Sequence, residues 1–259
     1  MKSTGDKTLP VSSQVLIVTG GSRGIGACTA QLAARRGYSV CVNYLQNREA
    51  AESVVNAMLG QGGKAIAVRA DVSVEADVMA LFESTEQQLG KPTALVNNAA
   101  RLELQMRLGA MDAARLQRMF ATNVIGTMLC AREAVRRMSL RTGGRGGNIV
   151  NVSSLAARYG SPGEYVDYAA TKGAIETFTV GLAKEVAQEG IRVNGVRPGF
   201  IYTGLHAAGG EPNRVDRVKT LVPMQRGGQP EEVAAAILWL LSPEASYVTG
   251  TFIDVSGGR

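Results

Sequence analysis

Residues 15–26 read VLIVTGGSRGIG, an apolar run that is followed directly by glycines. The run from Val15 to Thr19 has the length and composition of a buried strand, and a helical pattern extends from about Gly24 to Arg36. Glycines at this junction allow a tight turn and a close backbone approach, and the helix N-terminus offers free N–H groups to an anion. The stretch therefore predicts a strand, a phosphate-binding loop and a helix at the start of an α/β fold.

Alternating strand and helix patterns continue along the rest of the chain. Further strands are predicted at residues 39–44, 64–69, 94–97, 148–153, 192–196 and 251–255, and helices at 48–59, 74–89, 112–138 with a break near Asn123, 164–188 and 230–241. Strands that alternate with helices of about 10 to 15 residues indicate βαβ units, and right-handed connections place helices on both faces of a parallel sheet. No linker divides the chain. We therefore predict one doubly wound α/β domain over residues 1–259, with about seven parallel strands and a loose extension at residues 1–13.

The composition is that of an ordinary globular protein with a basic balance. Hydrophobic residues make up 45% of the 259 residues, and the formal net charge is +6. The densest basic stretch has the pattern of a solvated helix end, where cations face the negative pole of the helix, and no aromatic residues interleave with it as on a nucleic-acid surface. This stretch consists of Arg132, Arg136, Arg137, Arg141 and Arg145. We predict no nucleic-acid partner.

Cysteine usage and hydropathy indicate the compartment. Cys28, Cys41 and Cys130 lie in apolar segments, and no two of them have metal-ligand spacing. We expect free thiols, a reducing compartment and no metal site. Residues 1–14 lack the apolar run of a signal peptide, and no stretch approaches the roughly 18 apolar residues of a membrane span. These observations predict a cytoplasmic protein without a membrane partner.

Residues 168–172 read YAATK and place a phenol and an ammonium group four positions apart. On a helix the two side chains are neighbours on one face. A nearby cation stabilises a phenolate, so we expect Lys172, with help from burial and a cofactor's charge, to lower the pKa of Tyr168 from about 10 towards neutrality. A tyrosine tuned in this way is a competent general acid or base. The nearby Tyr159 and Tyr165 have no lysine at that spacing, which leaves Tyr168 as the catalytic candidate.

Two adjacent serines, Ser153 and Ser154, end the predicted strand 148–153. Ligands of open α/β sheets bind beyond the carboxyl ends of the strands, where a hydroxyl group can hydrogen-bond a substrate carbonyl. Neighbouring strand residues point to opposite faces, so the two serines have different surroundings. Capping of the following segment is the alternative role for either hydroxyl.

The end of the second strand, residues 42–47, reads VNYLQN and holds no carboxylate. In dinucleotide-binding folds, a carboxylate about 20 residues after the glycine loop binds the 2′-hydroxyl of the adenosine ribose. A carboxylate would repel a 2′-phosphate. Its absence, together with Arg23 in the loop and Arg48 nearby, favours NADP(H) over NAD(H).

The motifs resemble, in order and over residues 14 to 258, those of the short-chain dehydrogenase/reductases. The matching residues are Thr19-Gly20, Gly24, Gly26, Asp71-Val72, Asn97-Asn98-Ala99, Asn123, Ser154, Tyr168, Lys172, Pro198-Gly199, Thr203, Gly250 and the run Asp254 to Gly258. The resemblance implies a Rossmann-like sheet, a nicotinamide cofactor and a homotetramer or dimer. One position departs from the family pattern: Ala100 stands where glycine is usual, which would make a positive φ costly there.

The same resemblance implies roles for the site residues. Tyr168 is the general acid/base, Ser154 polarises a carbonyl, and Lys172 binds the nicotinamide ribose and lowers the pKa of Tyr168. Asn123 holds a water that relays protons from Lys172. The implied cofactor contacts are Gly20, Ser22, Arg23, Gly24, Ile25, Gly26, Asn43, Tyr44, Asp71, Val72, Asn97, Ala99, Tyr168, Lys172, Pro198, Gly199, Ile201 and Thr203. The implied reaction interconverts a carbonyl and an alcohol on a small molecule.

Other activities on the same scaffold remain open at this point. A dehydratase or epimerase would keep Tyr168 and Lys172, although such enzymes normally carry added substrate segments. A cofactor-binding regulator would keep the fold, although it normally lacks part of the serine–tyrosine–lysine set. The sequence contains that set and no added segment, which favours the oxidoreductase.

The sequence does not identify the substrate. The resemblance suggests sugar-type polyols and β-ketoacyl thioesters equally well. We expect an irregular segment, Pro198 to Leu221, to roof the substrate pocket and to be mobile until a ligand binds, and Leu155 to Val166 to form a wall. The single histidine, His206, lies in the roof, where we expect an exposed residue without a role; a contact with the substrate is the alternative.

Overall fold

Seven parallel strands form one sheet at the centre of the fold. The computed structural model describes residues 14–259, and its strands are β1 (Val15–Val18), β2 (Ser39–Tyr44), β3 (Lys64–Arg69), β4 (Ala94–Asn97), β5 (Gly147–Val152), β6 (Ile191–Pro198) and β7 (Phe252–Val255). Their order is β3-β2-β1-β4-β5-β6-β7, and every neighbouring pair is parallel. The winding reverses between β1 and β4, which opens a crevice at the carboxyl ends of the strands. The predicted Rossmann-like α/β fold is confirmed.

Helices cover both faces of the sheet. They are α1 (Gly24–Arg35), α2 (Arg48–Leu59), α3 (Glu75–Leu89), α4 (Ala113–Phe120), α5 (Gly126–Met138), α6 (Ala156–Tyr159), α7 (Val166–Val186), α8 (Leu205–Ala208), α9 (Arg214–Val218) and α10 (Pro230–Leu241). Leu16 and Val18 of β1 belong to the core beneath α1, α2 and α10, whereas Ile17 belongs to the core beneath α3, α5 and α7. Since both faces are buried, the strands read as uninterrupted apolar runs.

The irregular segment Pro198 to Leu221 is where the sequence prediction is wrong, because it contains α8 and α9. Helix α9 buries Val215 and Val218 against the rest of the fold, a tertiary contact that no local pattern indicates. The other predicted bounds lie within two residues of those observed. The predicted break near Asn123 is confirmed, since a π-helical turn, Ala121–Ile125, separates α4 from α5.

The basic stretch of α5 surrounds a buried glutamate. Glu133 is 3% exposed, and its carboxylate oxygens lie 2.7 Å from Arg136 Nη1 and 2.6 Å from Arg137 Nη1. Arg132 contacts both Glu133 and Glu75. These three arginines therefore form an ion-pair network within the fold and are not an open basic patch.

Three further points concern the N-terminal residues, the cysteines and the apolar character of the helices. The predicted loose extension, residues 1–13, lies outside the described residues. All three cysteines are free, as predicted. Within residues 14–259, no helix has both the length and the apolar character needed to cross a bilayer.

Candidate active site

A cavity of about 250 Å³ lies beyond the carboxyl ends of β5 and β6. Tyr168 and Lys172 of α7 line one side of it, next to Ser154, which follows β5. The predicted wall and roof segments both contribute, through residues such as Tyr159 and His206. The sequence therefore brings its catalytic candidates and its substrate segments to one place.

The helix α7 presents Tyr168 and Lys172 to the cavity from one face. Both residues are buried, with exposures of 8% and 3%. The Lys172 Nζ atom lies 5.5 Å from the centre of the Tyr168 ring, and it donates a hydrogen bond of 2.7 Å to the carbonyl oxygen of Val152. Tyr165 has a different task, since its hydroxyl donates to the carbonyl of Gly209 over 3.0 Å. The choice of Tyr168 over Tyr165 thus agrees with the geometry.

Burial acts on the pKa of Tyr168 against the expected direction. It raises this pKa to about 12, and the nearby hydroxyl of Ser154 lowers it only in part. Burial also lowers the pKa of Lys172 to about 8. The expected help from burial is therefore wrong, because burial disfavours the charged phenolate. The expected lowering by a cofactor's charge stays a prediction.

A titration of the cofactor-free protein tests the raised pKa of Tyr168. We expect the ultraviolet absorbance of phenolate to be the same in the wild type and in Tyr168→Phe up to pH 10, because the buried phenol ionises only near its pKa of about 12. The difference between the two proteins should appear only above that pH. A wild-type excess of one phenolate already developing below pH 10 would contradict the assignment.

The two adjacent serines lie in different surroundings. Ser153 is 2% exposed, and its hydroxyl donates to Glu176 Oε1 over 3.0 Å. Both serines line the cavity. The Ser154 hydroxyl accepts the backbone N–H of Ala156 over 3.1 Å, so it caps the following segment, and it also lies near enough to Tyr168 to lower the pKa of that phenol in part. The geometry therefore favours Ser154 as the partner of Tyr168, while Ser153 fastens β5 to α7.

Asn123 occupies the π-helical turn and is 1% exposed. Its Oδ1 accepts from the backbone N–H of Arg101 over 2.7 Å, and its Nδ2 donates to the Thr171 hydroxyl over 3.1 Å. Thr171 donates in turn to the carbonyl of Tyr168 over 2.7 Å. Asn123 thus braces α7 behind the catalytic candidates, and a proton-relay role for it stays a prediction.

The glycine loop has the form that a bound phosphate requires. Gly20 and Gly24 have φ of +60° and +54°, and a Cβ on Gly26 would lie 2.5 Å from the Gly20 carbonyl oxygen. No side chain caps the N-terminus of α1, and its first turn holds no acidic residue. The first N–H groups of α1 therefore remain available to an anion, and the loop fits the phosphates of a dinucleotide.

Asn98 is a functional position that the list of expected contacts omitted. Its Nδ2 donates to the carbonyls of Thr19 and Gly20 over 3.0 and 2.9 Å, and its backbone N–H donates to the Thr19 hydroxyl over 3.0 Å. These bonds tie the glycine loop to the end of β4. The Asn97-Asn98-Ala99 motif was the sequence signal that could have identified Asn98. Because neighbouring residues of a strand point to opposite faces, the motif could have assigned Asn97 and Asn98 to different surroundings.

The expected adenosine contacts lie together at the ends of β2 and β3. Asn43 is buried, with Oδ1 accepting from the Gly20 N–H over 3.2 Å and Nδ2 donating to the Ala70 carbonyl over 3.0 Å. Asp71 is held by the Ser73 N–H and hydroxyl over 2.9 and 2.6 Å. Of the two arginines proposed for this end, Arg48 is exposed and paired with Glu52 at 2.6 Å, and Arg23 is exposed at the start of α1.

The remaining expected contacts divide into two groups. Asn97 is bonded within the sheet, since its Nδ2 donates to Oδ1 of Asn151 on the neighbouring strand β5 over 2.9 Å. Ala100, which stands where glycine is usual in the family, has no positive φ. Neither Tyr44 nor Val72 lines the cavity, and both are buried. The expected contacts that do line the cavity are Ile25, Tyr168, Lys172, Pro198, Gly199, Ile201 and Thr203.

Three charged residues of the cavity, Glu164, Arg214 and Arg259, carried no prediction of a role. Arg214 is 8% exposed and pairs with Glu164 and Glu211. His206 is half-buried, with Nε2 lying 3.2 Å from the carbonyl oxygen of Ile201, so the expectation of an exposed residue is wrong. Within residues 14–259, no group of three or more histidine, cysteine or acidic side chains could hold a metal ion.

Comparisons with known proteins agree with this architecture. Residues 20–259 match the family described as "Enoyl-(Acyl carrier protein) reductase". The "Uncharacterized oxidoreductase YgfF" of Escherichia coli (strain K12) is 60% identical over 245 residues, covering 95% of this chain and 99% of that protein. The "3-oxoacyl-[acyl-carrier-protein] reductase" of Synechocystis sp. is 39% identical over 251 residues, covering 96% and 97%. A solved structure, "Short-chain dehydrogenase/reductase from Serratia marcescens BCRC 10948", has a TM-score of 0.88 at 31% identity and covers 96% of this chain and 99% of that one.

The fold and the site together define an oxidoreductase built on a dinucleotide-binding sheet. The chain belongs to the short-chain dehydrogenase/reductase family. Membership implies a cofactor of the NAD(P) type in general.

Proposed function

We propose that this protein is an NADP(H)-dependent oxidoreductase that interconverts a ketone or aldehyde and an alcohol on a small molecule. One observation carries the proposal: Tyr168 and Lys172 are buried on one face of α7, beside Ser154, in a cavity that Ile25 of the glycine loop also lines. Proton transfer needs the first three residues, and cofactor binding needs the loop. Their convergence on one cavity favours this function over a regulator without chemistry.

Each catalytic side chain has a task that its surroundings support. A substrate carbonyl oxygen between the hydroxyls of Tyr168 and Ser154 receives a hydrogen bond from each. With a pKa of about 12, the Tyr168 phenol keeps its proton at neutral pH and delivers it to that oxygen as the alcohol forms. Lys172 stabilises the resulting phenolate by its positive charge. The nicotinamide cofactor supplies the hydride.

Oxidation of NADPH in the presence of a carbonyl compound tests the proposal. The panel contains 3-oxoacyl thioesters, sugars, steroids and small ketones, and the loss of nicotinamide absorbance is followed together with the alcohol formed. We expect turnover with at least one class and one alcohol for each NADPH consumed. A protein that binds NADPH but reduces no member of the panel would contradict the proposed reaction.

The preference for NADP(H) rests on charge at the end of β2. No carboxylate lies between Val42 and Asn47, and Arg23 stands exposed at the start of α1, on the side of the sheet that carries the glycine loop. A guanidinium group binds a phosphate with two hydrogen bonds in a fixed geometry. We assign Arg23 to the 2′-phosphate, with Arg48 as its neighbour.

Substitution of Arg23 tests the cofactor assignment. We expect NADPH to bind more tightly than NADH, and Arg23→Ala to weaken NADPH binding by about tenfold while leaving NADH binding unchanged, since a hydrogen bond to a charged group contributes about 1.5–3 kcal/mol and solvent screens part of it. Arg36→Ala, at the opposite end of α1, is the matched control. Fluorescence titration gives the dissociation constants of NADPH and NADH for each protein. Tighter binding of NADH than of NADPH by the wild type would reject the assignment.

A pair of serine variants tests the partner of Tyr168. We expect Ser154→Ala to lower kcat/KM by about 10- to 100-fold, because the transition state loses a hydrogen bond to its developing charge. Ser153→Ala should leave the rate within about threefold and lower stability by about 1 kcal/mol, because it removes the bond to Glu176. Steady-state kinetics and urea unfolding separate the two effects. The reverse pattern of rates would assign the role to Ser153.

We also propose that the protein assembles as a homotetramer. Two separate surfaces expose large apolar side chains, one around Ile125, Met128 and Val180, which are 49%, 39% and 37% exposed, and the other around Trp239 and Tyr247, which are 41% and 103% exposed. Two self-complementary contacts on one chain generate a tetramer with dihedral symmetry, whereas one contact generates a dimer.

A further inference from the structure

Arg259 extends into the cavity wall between two aromatic rings. The central carbon of its guanidinium group lies 4.7 Å from the centre of the Phe200 ring and 5.4 Å from that of Tyr159. All three residues line the cavity that holds Tyr168. Two aromatic neighbours fix the plane of a guanidinium group and remove part of its hydration. Arg259 is therefore a positioned cation inside the cavity.

Within residues 14–259, no side-chain carboxylate forms an ion pair with the guanidinium group of Arg259. Its Nη1 atom is buried without a hydrogen-bond partner. The other cavity arginine, Arg214, is already paired with Glu164 and with Glu211, the latter at 2.8 Å. Those two carboxylates also pair with Arg217. Arg259 is thus the cavity arginine that lacks a side-chain carboxylate as a partner.

Arg259 is half-buried as a residue, but its buried Nη1 donor is costly to leave without a partner, because it loses hydration and gains no compensating bond. An unpartnered donor in a ligand cavity is explained when the ligand supplies its hydrogen-bond acceptor. An anion with two oxygens, such as a carboxylate or a phosphate, accepts two parallel hydrogen bonds from a guanidinium fork. The geometry of Arg259 therefore specifies the chemistry of its partner.

We propose that Arg259 binds an anionic group of the substrate, so that the enzyme acts on carbonyl compounds carrying a carboxylate or a phosphate. This inference rests on the proposed carbonyl reduction. Tyr168 and Arg259 line the same cavity of about 250 Å³, a volume that suits one small molecule. The apolar side chains of Leu155 and Leu205 line the same cavity and suit an uncharged stretch between the carbonyl and the anion.

Matched substrate pairs that differ only in the anion test the inference. The first pair is a 3-oxo acid and its methyl ester. The second pair is a 3-oxoacyl thioester of phosphopantetheine and the same thioester of pantetheine, which lacks the phosphate. We expect the wild type to prefer the charged member of one pair by about 10- to 100-fold in kcat/KM, the range of a hydrogen bond to a charged group. The pair that shows the preference identifies the anion as a carboxylate or a phosphate.

Variants then assign the preference to Arg259. We expect Arg259→Met to abolish the preference by lowering kcat/KM for the charged compound alone, and Arg259→Lys to retain part of it through the remaining charge. Arg145→Met, which removes an exposed arginine from the loop before β5, should change neither value. An unchanged preference in Arg259→Met, or no preference in the wild type, overturns the inference.

A binding measurement separates this inference from the proposed reaction. If the wild type reduces neither these four compounds nor any member of the carbonyl panel, the proposed function has failed, and calorimetric titration with a 3-hydroxy acid and with phosphopantetheine still tests the role of Arg259. We expect one of these anions to bind the wild type and to bind Arg259→Met at least about tenfold more weakly. Equal affinity in both proteins, or no binding to the wild type, overturns the inference.

Discussion

Tyr168→Phe is expected to lower kcat/KM for carbonyl reduction by about 10³-fold while cofactor affinity remains unchanged. Removal of a positioned general acid costs about 10²- to 10⁴-fold, and this phenol is the group that would deliver the proton. Phenylalanine fills nearly the same volume in a site that is 8% exposed, so the loss is chemical and not one of packing. Steady-state kinetics with NADPH and a reducible ketone, together with fluorescence titration of NADPH, measure both quantities.

Tyr165→Phe is the matched control for this variant. Tyr165 is 4% exposed and lies one helical turn before Tyr168, and its hydroxyl is already bound to the Gly209 carbonyl at 3.0 Å. Loss of that bond should lower stability by about 1 kcal/mol and change kcat/KM by less than about tenfold. Undiminished turnover in Tyr168→Phe would remove Tyr168 from the mechanism, and a large loss in Tyr165→Phe alone would transfer the role.

The strands and long helices could be predicted because their patterns are local. The strand Ser39–Tyr44 and the helix Pro230–Leu241 were predicted with both bounds correct. The first ends where polar residues follow an apolar run, and the second starts at a proline, whose fixed φ and lack of an N–H suit the first helical position. The motif residues Tyr168 and Lys172 meet for the same reason, since four positions along a helix bring two side chains onto one face.

The properties that depend on distant contacts could not be predicted. Burial raises the pKa of Tyr168, whereas we had expected burial to help lower it, because the sequence does not state how the phenol is surrounded. The helix Arg214–Val218 depends on partners as far along the chain as Glu164. Arg259 lies after β7 and lines the cavity beside Phe200, a residue that is distant from it in the sequence.

A buried ion pair beside Tyr168 is expected to contribute the largest single stability effect. Arg115 Nε and Asp167 Oδ2 are 2.7 Å apart, with side chains that are 5% and 0% exposed. Asp167 also accepts the backbone N–H of Tyr168 over 2.9 Å, and Arg115 Nη1 donates to the Leu104 carbonyl over 2.7 Å. The pair thus joins α4 to the first turn of α7, and the bond to Leu104 adds the segment before α4.

Arg115→Met is expected to lower the free energy of unfolding by about 3–5 kcal/mol, because it leaves the Asp167 carboxylate buried without its counterion. Asp167→Leu should cost a similar amount by stranding the guanidinium group. The double variant should cost less than the sum of the two, because it removes both charges together. Urea unfolding at one fixed protein concentration measures the three values, since assembly would otherwise shift them.

The exposed pair of Arg48 and Glu52 isolates the effect of burial. Its N–O distance of 2.6 Å nearly equals that of the buried pair, but its side chains are 75% and 46% exposed. An exposed pair contributes about 0–1 kcal/mol, so Arg48→Met should barely change the free energy of unfolding. Equal losses in Arg48→Met and Arg115→Met, or a double variant that loses the full sum, would show that the Arg115–Asp167 pair is not a coupled buried charge pair. A large loss confined to the buried pair would mean that the placement of Tyr168 depends on an ion pair whose two members lie 52 residues apart in the sequence.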